Sequence, residues 1–445
     1  MNMIAKLLRR CGLMAALSLT SLGSCFAGDV TIGIAVKFEP LGRISKERIN
    51  SEVLSKELKG FVSSGMWPGY LIPSYDPATC DVDIYKVAYP STISEQGNRK
   101  TIAYGLMAVP VTATGQKSLL ATYPMVSYQH GTVFGKHEVP SDCFSTKYKQ
   151  YDGAYETRLN VAQFAGHGYV LIAADYFGMG DSIEPEGYTV KASHQQACLD
   201  LYFAAQKWLQ AQKSDVSDLF LAGWSQGGLV TMEFLEKLEA SGIKVKAAST
   251  ASAPADPFAA ASALLFNPRQ GKDGNTADAV WANTIFILSA FSYENYYSQP
   301  GLTHSLFKDA HWDAYHKIYT RDYKNMHFSP DGKEMIVDGV STPTHLPEMF
   351  KEPYQNPTYF SLSEYGSLLK RAGAYQWCVH TPVRMYCGTQ DEAFAPAIAK
   401  IAARYQADIH PGMISPIDVP NGNHRGTFLH SVLAQKTWFD QLTGR

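Results

Sequence analysis

The sequence predicts an α/β fold: a mainly parallel eight-stranded sheet flanked by helices, with a helical cap inserted late in the chain. Three observations predict it. From about residue 80, short apolar runs alternate with amphipathic stretches, the pattern of parallel strands joined by crossover helices. One strand-to-helix junction carries Gly223-Trp224-Ser225-Gln226-Gly227. The segment 257–376, about 120 residues, then breaks the rhythm and is too long for an ordinary connection.

Residues 1–27 read as a signal peptide. Lys6, Arg9 and Arg10 supply the positive region, residues 13–22 a short apolar region, and Cys25-Phe26-Ala27 a site for cleavage before Gly28. The apolar run is too short to span a bilayer. Leu22-Gly23-Ser24-Cys25 also resembles a bacterial lipobox, which would tether the protein to a membrane through a lipid on Cys25. The expected location is therefore secreted or periplasmic, with a membrane-anchored lipoprotein as the alternative.

Residues 28–80 read as an N-terminal arm with a helix over 46–61 and a loop holding Pro68, Pro73 and Pro77. The α/β core is assigned to 81–256 and 377–445. Its eight strands are expected at 82–88, 101–109, 123–128, 169–173, 219–222, 245–249, 383–387 and 414–419, with helices at 154–166 and 192–211. The insert is aromatic-rich and helix-prone at 258–265 and 280–291, with Tyr293, Tyr296 and Tyr297 following. It reads as a cap or lid over the sheet's active edge, with a structural excursion remote from the site as the competing reading.

The chain has 445 residues, 45% hydrophobic and 18% charged, which suits a globular protein with a sizeable core. A net charge of −2 without long runs of one sign argues against nucleic acid as a ligand. Beyond the leader the cysteines are Cys80, Cys143, Cys198, Cys378 and Cys387. An odd count leaves at least one thiol unpaired within the chain, and Cys387, in a predicted core strand, suits that role; the others allow up to two bridges. None has metal-site spacing. His311 and His316, five apart, do not share a helical face, so no metal is assigned to them.

Apolar Leu219-Phe220-Leu221-Ala222 precedes Ser225, and Leu229, Met232, Leu235 and Leu238 follow it as a helical stripe. A strand, a sharp turn and a helix present a serine at the turn, and the flanking glycines allow the close packing that the turn demands. A Ser hydroxyl needs a base to become a nucleophile. His424, in Gly422-Asn423-His424-Arg425-Gly426 after the last strand, stands at the correct sheet edge; His410 precedes that strand and His430 falls within the final helix. Asp391, after strand 383–387 and its turn glycine Gly388, is the expected partner of His424. Asp256 is the main competitor and Glu392 a lesser one; the bland reading of each is a loop carboxylate facing water or capping a helix. The oxyanion donors are expected to be the backbone N–H groups of Gln226 and of Thr132, in the loop Gln129-His130-Gly131-Thr132-Val133 after strand 123–128. His130 is expected to hold that loop. Asp175 and Asp181, in the Gly-rich loop after strand 169–173, read as structural.

Taken together, the His130-Gly131-Thr132 loop, the Asp175-Tyr176-Phe177-Gly178 loop and Gly223-Trp224-Ser225-Gln226-Gly227 resemble the α/β-hydrolase superfamily, and most closely its secretory-lipase-type esterases. The order Ser225, Asp391, His424 is that superfamily's order. The resemblance implies a cofactor-free triad acting on a small-molecule or lipid ester. A peptidase or acyltransferase would use the same parts; a non-catalytic binding protein on this fold would be expected to lack the nucleophile or the base, and neither is missing.

Overall fold

The computed structural model describes residues 36–63, 72–111, 120–148, 154–270, 278–329, 334–343 and 345–445. The leader, including Cys25, lies outside them. No helix among the described residues is long and apolar enough to cross a membrane.

The strands in chain order are β1 (Lys37–Ile44), β2 (Val82–Ile93), β3 (Arg99–Pro110), β4 (Thr122–Gln129), β5 (Val170–Ala174), β6 (Asp215–Trp224), β7 (Ala247–Ala251), β8 (Met326–Phe328), β9 (Glu334–Val337), β10 (Val340–Pro343), β11 (Val383–Gly388) and β12 (Ile414–Val419). Nine of them form one sheet in the order β1-β2-β3-β5-β4-β6-β7-β11-β12. From β5 to β12 across the sheet every pairing is parallel; β1, β2 and β3 add an antiparallel flank. The mainly parallel α/β expectation holds, with one strand more than eight. The extra strand is β1, drawn from the arm. Its side chains are largely exposed and its register with β2 shifts between Pro40 and Gly42, so no apolar alternation marks it in the sequence.

Helices cover both faces. On one lie α1 (Tyr155–Gln163) and, at the chain's end, the long helix His424–Thr443; on the other lie α2 (Lys191–Ala211) and α3 (Gln226–Ala240). The period-2 geometry of β6 serves both layers: Leu219 and Leu221 join the α2–α3 side, while Phe220 and Ala222 join the other. The expected helix in the arm is present as a helical segment over 46–63, partly in π register. Its Phe61 is buried against Tyr155, Trp224 and Phe428.

Segment 257–376 is helical at Pro257–Phe266, Thr284–Tyr296, Asp309–Thr320 and Glu364–Arg371. It also contains a three-stranded antiparallel sheet, β10-β9-β8, which the helical expectation omitted. Asp338-Gly339 turns β9 into β10 with φ of 50° and 83°, the two positive angles a tight hairpin needs. His316 stacks on Trp312 at 5.1 Å between ring centroids. The five cysteines are all free thiols, so neither of the two allowed bridges forms; Cys387 is buried in β11 as expected.

Candidate active site

The site gathers at the C-terminal ends of parallel strands, where loops leave the sheet. β6 delivers Trp224 and Ser225, β4 the Gln129–Gly131 loop, β11 the turn to Asp391, and β12 the loop to His424.

Ser225 adopts φ 59° and ψ −124°, a strained conformation for a residue with a side chain. Its backbone N–H is tied to Ala251 O of the neighbouring strand at 2.9 Å. The glycines around it are sterically required. A Cβ on Gly227 would lie 1.9 Å from Gln129 O, and one on Gly223 would lie 2.2 Å from Gly227 O. The elbow thus presses directly on the loop expected to supply an oxyanion donor. Gln226 opens α3, where the first N–H groups have no intrahelical acceptor.

His424 begins the last helix, capped by the Asn423 side chain, which accepts from Gly426 N at 2.8 Å. Its Nδ1 donates to both Asp391 oxygens at 3.1 Å each. A carboxylate only accepts, so this contact fixes the proton on Nδ1 and leaves the Nε2 lone pair free. Nε2 is buried and has no hydrogen-bond partner among the described residues. Asp391 Oδ1 also accepts from the N–H groups of Ala393 and Phe394, at 2.9 and 3.0 Å. Burial pushes the Asp391 carboxyl up, but the charge and hydrogen bond of His424 outweigh it and hold the group below the ordinary carboxylate range. Burial likewise pushes His424 down, and Asp391 more than reverses it, leaving the imidazole above its ordinary value.

Trp224, the residue before Ser225, packs its ring on the His424 imidazole at 5.0 Å between centroids. Ser225, His424 and Asp391 are 6%, 3% and 1% exposed, so all three lie beneath the surface.

Thr132 follows Gly131, whose own N–H is already taken by both oxygens of Glu156 at 3.0 Å. Of the two, Thr132 is therefore the one with an N–H to offer. Its hydroxyl bonds Tyr188, which lines the cavity beside Gln226, at 2.8 Å. His130 Nδ1 lies 2.8 Å from Gly131 O and its ring stacks on Tyr176 at 4.3 Å, which holds the loop as expected. Burial pushes its pKa down to about 4.

The competing residues have other duties. Asp256 caps helix Pro257–Phe266 by accepting from Ala259 N at 2.9 Å and accepts from Tyr375 at 2.7 Å. Glu392 accepts from the backbone N–H of His424 at 2.8 Å and does not touch the ring's nitrogens. His430 packs beside Tyr386 in the final helix. His410 stands at the opposite edge, just before β12. Asp175 accepts from Ser141 N at 2.8 Å, and Asp181 pairs with Lys86.

A model of the alpha/beta hydrolase family matches residues 130–433. The chain belongs to that family. Among solved structures, this hydrolase is similar to a Legionella pneumophila protein described as a hydrolase, at 20% identity and TM-score 0.68, covering 91% of this chain and 97% of that one. It is also similar to the rice cell wall degrading esterase LipA from Xanthomonas oryzae in a ligand-bound form (17% identity, TM-score 0.64, 92% and 97% covered). Candida antarctica lipase A in its closed state follows at 13% identity, TM-score 0.58, with 82% of this chain and 78% of that one covered. At these identities the likeness is one of fold. None of the curated proteins matches this hydrolase in sequence.

Three contributors escaped the sequence reading. Glu156 sits fully buried on α1, bonded to Tyr128 at 2.6 Å and to Gly131; burial pushes its pKa up to about 7. Arg269, from segment 257–376, donates to the backbone carbonyls of Asp391 and Glu392 at 2.6 and 2.9 Å. Trp281, from the same segment, packs on His424 at 5.5 Å. Each acts from a distant segment and carries no local motif.

Proposed function

We propose that this hydrolase is an exported serine esterase that cleaves carboxylic esters through an acyl-enzyme on Ser225. The observation that carries the reading is the state of His424: Nδ1 pinned by Asp391, Nε2 buried with its lone pair unused. Ser225 attacks the ester carbonyl while His424 Nε2 takes the hydroxyl proton. Asp391 stabilises the imidazolium that results. The N–H groups of Gln226 and Thr132 receive the oxyanion. The imidazolium then returns its proton to the leaving alcohol, and water repeats the cycle to release the acid.

Segment 257–376 serves as the cap. It supplies Ile285, Phe286 and Tyr365 to a small cavity beside Gln226 that Leu229 and Phe394 complete. This lining suits an apolar acyl chain. The cavity measures about 30 Å³, room for about two waters. The leader sequence supports export, and lipidation at Cys25 would convert a soluble enzyme into a tethered one.

Fluorophosphonate labelling tests the nucleophile: wild type should label and Ser225→Ala should not, and equal labelling would remove Ser225 from the mechanism. A series of p-nitrophenyl esters of increasing chain length, run beside peptide amides, tests the substrate class. Turnover of amides at rates matching esters would refute the esterase reading.

A further inference from the structure

At the other edge of the sheet the fold assembles a second cluster. Cys378 and His380 sit two apart in the loop before β11, and His410 in the turn before β12. Sulfur and one ring nitrogen of each histidine lie within 4.8 Å of one another. Cys378 Sγ and His410 Nδ1 are 3.6 Å apart. Tetrahedral zinc, with bonds of about 2.3 Å to sulfur and about 2.0–2.1 Å to nitrogen, sets its S and N ligands roughly 3.5 Å apart.

The loop is built to present these side chains. Val379 is fully buried, which turns its neighbours Cys378 and His380 outward together. Gln406 accepts from Val379 N at 3.2 Å and donates to Trp377 O and Tyr375 O at 2.5 and 3.1 Å. Glu239 accepts from the N–H groups of His380 and Thr381 at 3.0 and 2.7 Å and from Trp377 Nε1 at 2.9 Å. Thus the backbone is clamped from two sides while both side chains face solvent and meet His410. The five-residue rise of β11 puts roughly 17 Å between this cluster and the Asp391 end of the strand.

We propose that Cys378, His380 and His410 form a binding site for a thiophilic divalent cation, of which zinc is the archetype, with water completing the coordination. Thiolate and imidazole together select zinc or copper over magnesium or calcium. Binding removes the thiol proton. It also moves the His410 ring proton from Nδ1, where Val379 O accepts it at 2.6 Å, to Nε2, and the ring turns so that Nδ1 faces the ion instead of that carbonyl. The ion would tie the loop entering β11 to the turn entering β12, both at the edge opposite the triad. Sequence spacing does not mark the site because its third ligand lies 32 residues beyond the first. A second cluster of donors, His137, Asp142 and Asp181, does not qualify: Lys86 already bridges its two carboxylates at 2.7 and 2.8 Å.

The test uses the untagged mature protein, reduced and stripped with chelator. Titration with zinc chloride, followed by calorimetry, should show one equivalent bound. Cys378→Ser and His380→Ala, both exposed and outside the triad, should each weaken binding about 100-fold or more while ester turnover stays at the wild-type rate. Titration with cobalt should give a thiolate charge-transfer band in the near ultraviolet that Cys378→Ser abolishes. Absence of zinc binding by wild type, or retention of wild-type affinity in either variant, would overturn the site.

Discussion

Nδ1 of His424 stands 3.1 Å from each carboxylate oxygen of Asp391, so one donor is shared by two acceptors. Asp391 thereby selects the tautomer as well as the orientation of the ring. Exchanging Asp391 for Asn replaces one acceptor with a donor and favours the opposite tautomer. Asp391→Asn should keep the fold and lower kcat by up to about 10⁴. Circular dichroism alongside steady-state ester hydrolysis checks both halves; turnover near wild type would return the role to another acid.

The same pair sets a pH dependence. Burial pushes His424 down, but the Asp391 charge wins and the imidazole titrates above its ordinary value of about 6.5. In the proposed mechanism only the neutral ring accepts a proton from Ser225. The acidic limb of kcat/KM should therefore fall off at a pH above about 6.5, and Asp391→Asn, which removes the largest effect opposing burial and leaves the Glu392 charge, should move that limb to lower pH. A profile across about pH 5 to 9 on a p-nitrophenyl ester reads the limb directly. A wild-type limb lying well below 6.5 would contradict the pairing.

Glu156 gives a prediction about stability. Its carboxyl titrates near 7 in the fold, raised by burial from an ordinary value of 4.5. A raised acid favours the protonated form, so its stabilising contribution is complete below about 4.5 and is lost as pH rises through 7. Glu156→Gln removes this titration while keeping an oxygen to accept from Gly131. Relative to wild type, the variant should gain up to about 3 kcal/mol between acidic and mildly alkaline pH. Urea denaturation at the two pH values measures it, and a constant difference would place the ionisation elsewhere.

Much of this site was legible in the chain because its chemistry is local. Gly223-Trp224-Ser225-Gln226-Gly227 records a steric demand, the 1.9 Å approach that only glycine at 227 permits. Asp391 and His424 follow strands 383–388 and 414–419, which the sequence located although Arg384, Pro416 and Asp418 interrupt their apolar runs. The strand β1 was not legible, since an exposed edge strand carries no alternation. Nor was β9-β10, although Asp338-Gly339 is a hairpin signal in plain view. Glu156 and Arg269 were invisible for a different reason: a buried carboxylate and a loop arginine acquire meaning only from tertiary partners.

The N-terminal arm packs behind His424, the proposed base. Phe61 is 3% exposed and packs against both Trp224 and Phe428, and Trp224 in turn lies on His424. Arg425, next to His424, sits over the Phe61 ring at 4.6 Å and donates to its carbonyl at 3.0 Å. Phe61→Ala should cost about 3–5 kcal/mol of stability and reduce kcat more than KM, as the indole loses its backing. Chemical denaturation and steady-state kinetics on the same preparation test the coupling.

The left-handed backbone at Ser225, φ 59°, has a consequence for how such a chain changes over generations. Glycine would occupy that conformation with less strain than any residue bearing a side chain. The fold and the reaction therefore pull this codon in opposite directions. A descendant no longer required to turn over substrate would find inactivation to be a downhill step, made firmer by the very replacement that silences it. Under the proposed mechanism, the hydroxyl at this position is kept against the conformational preference of the scaffold.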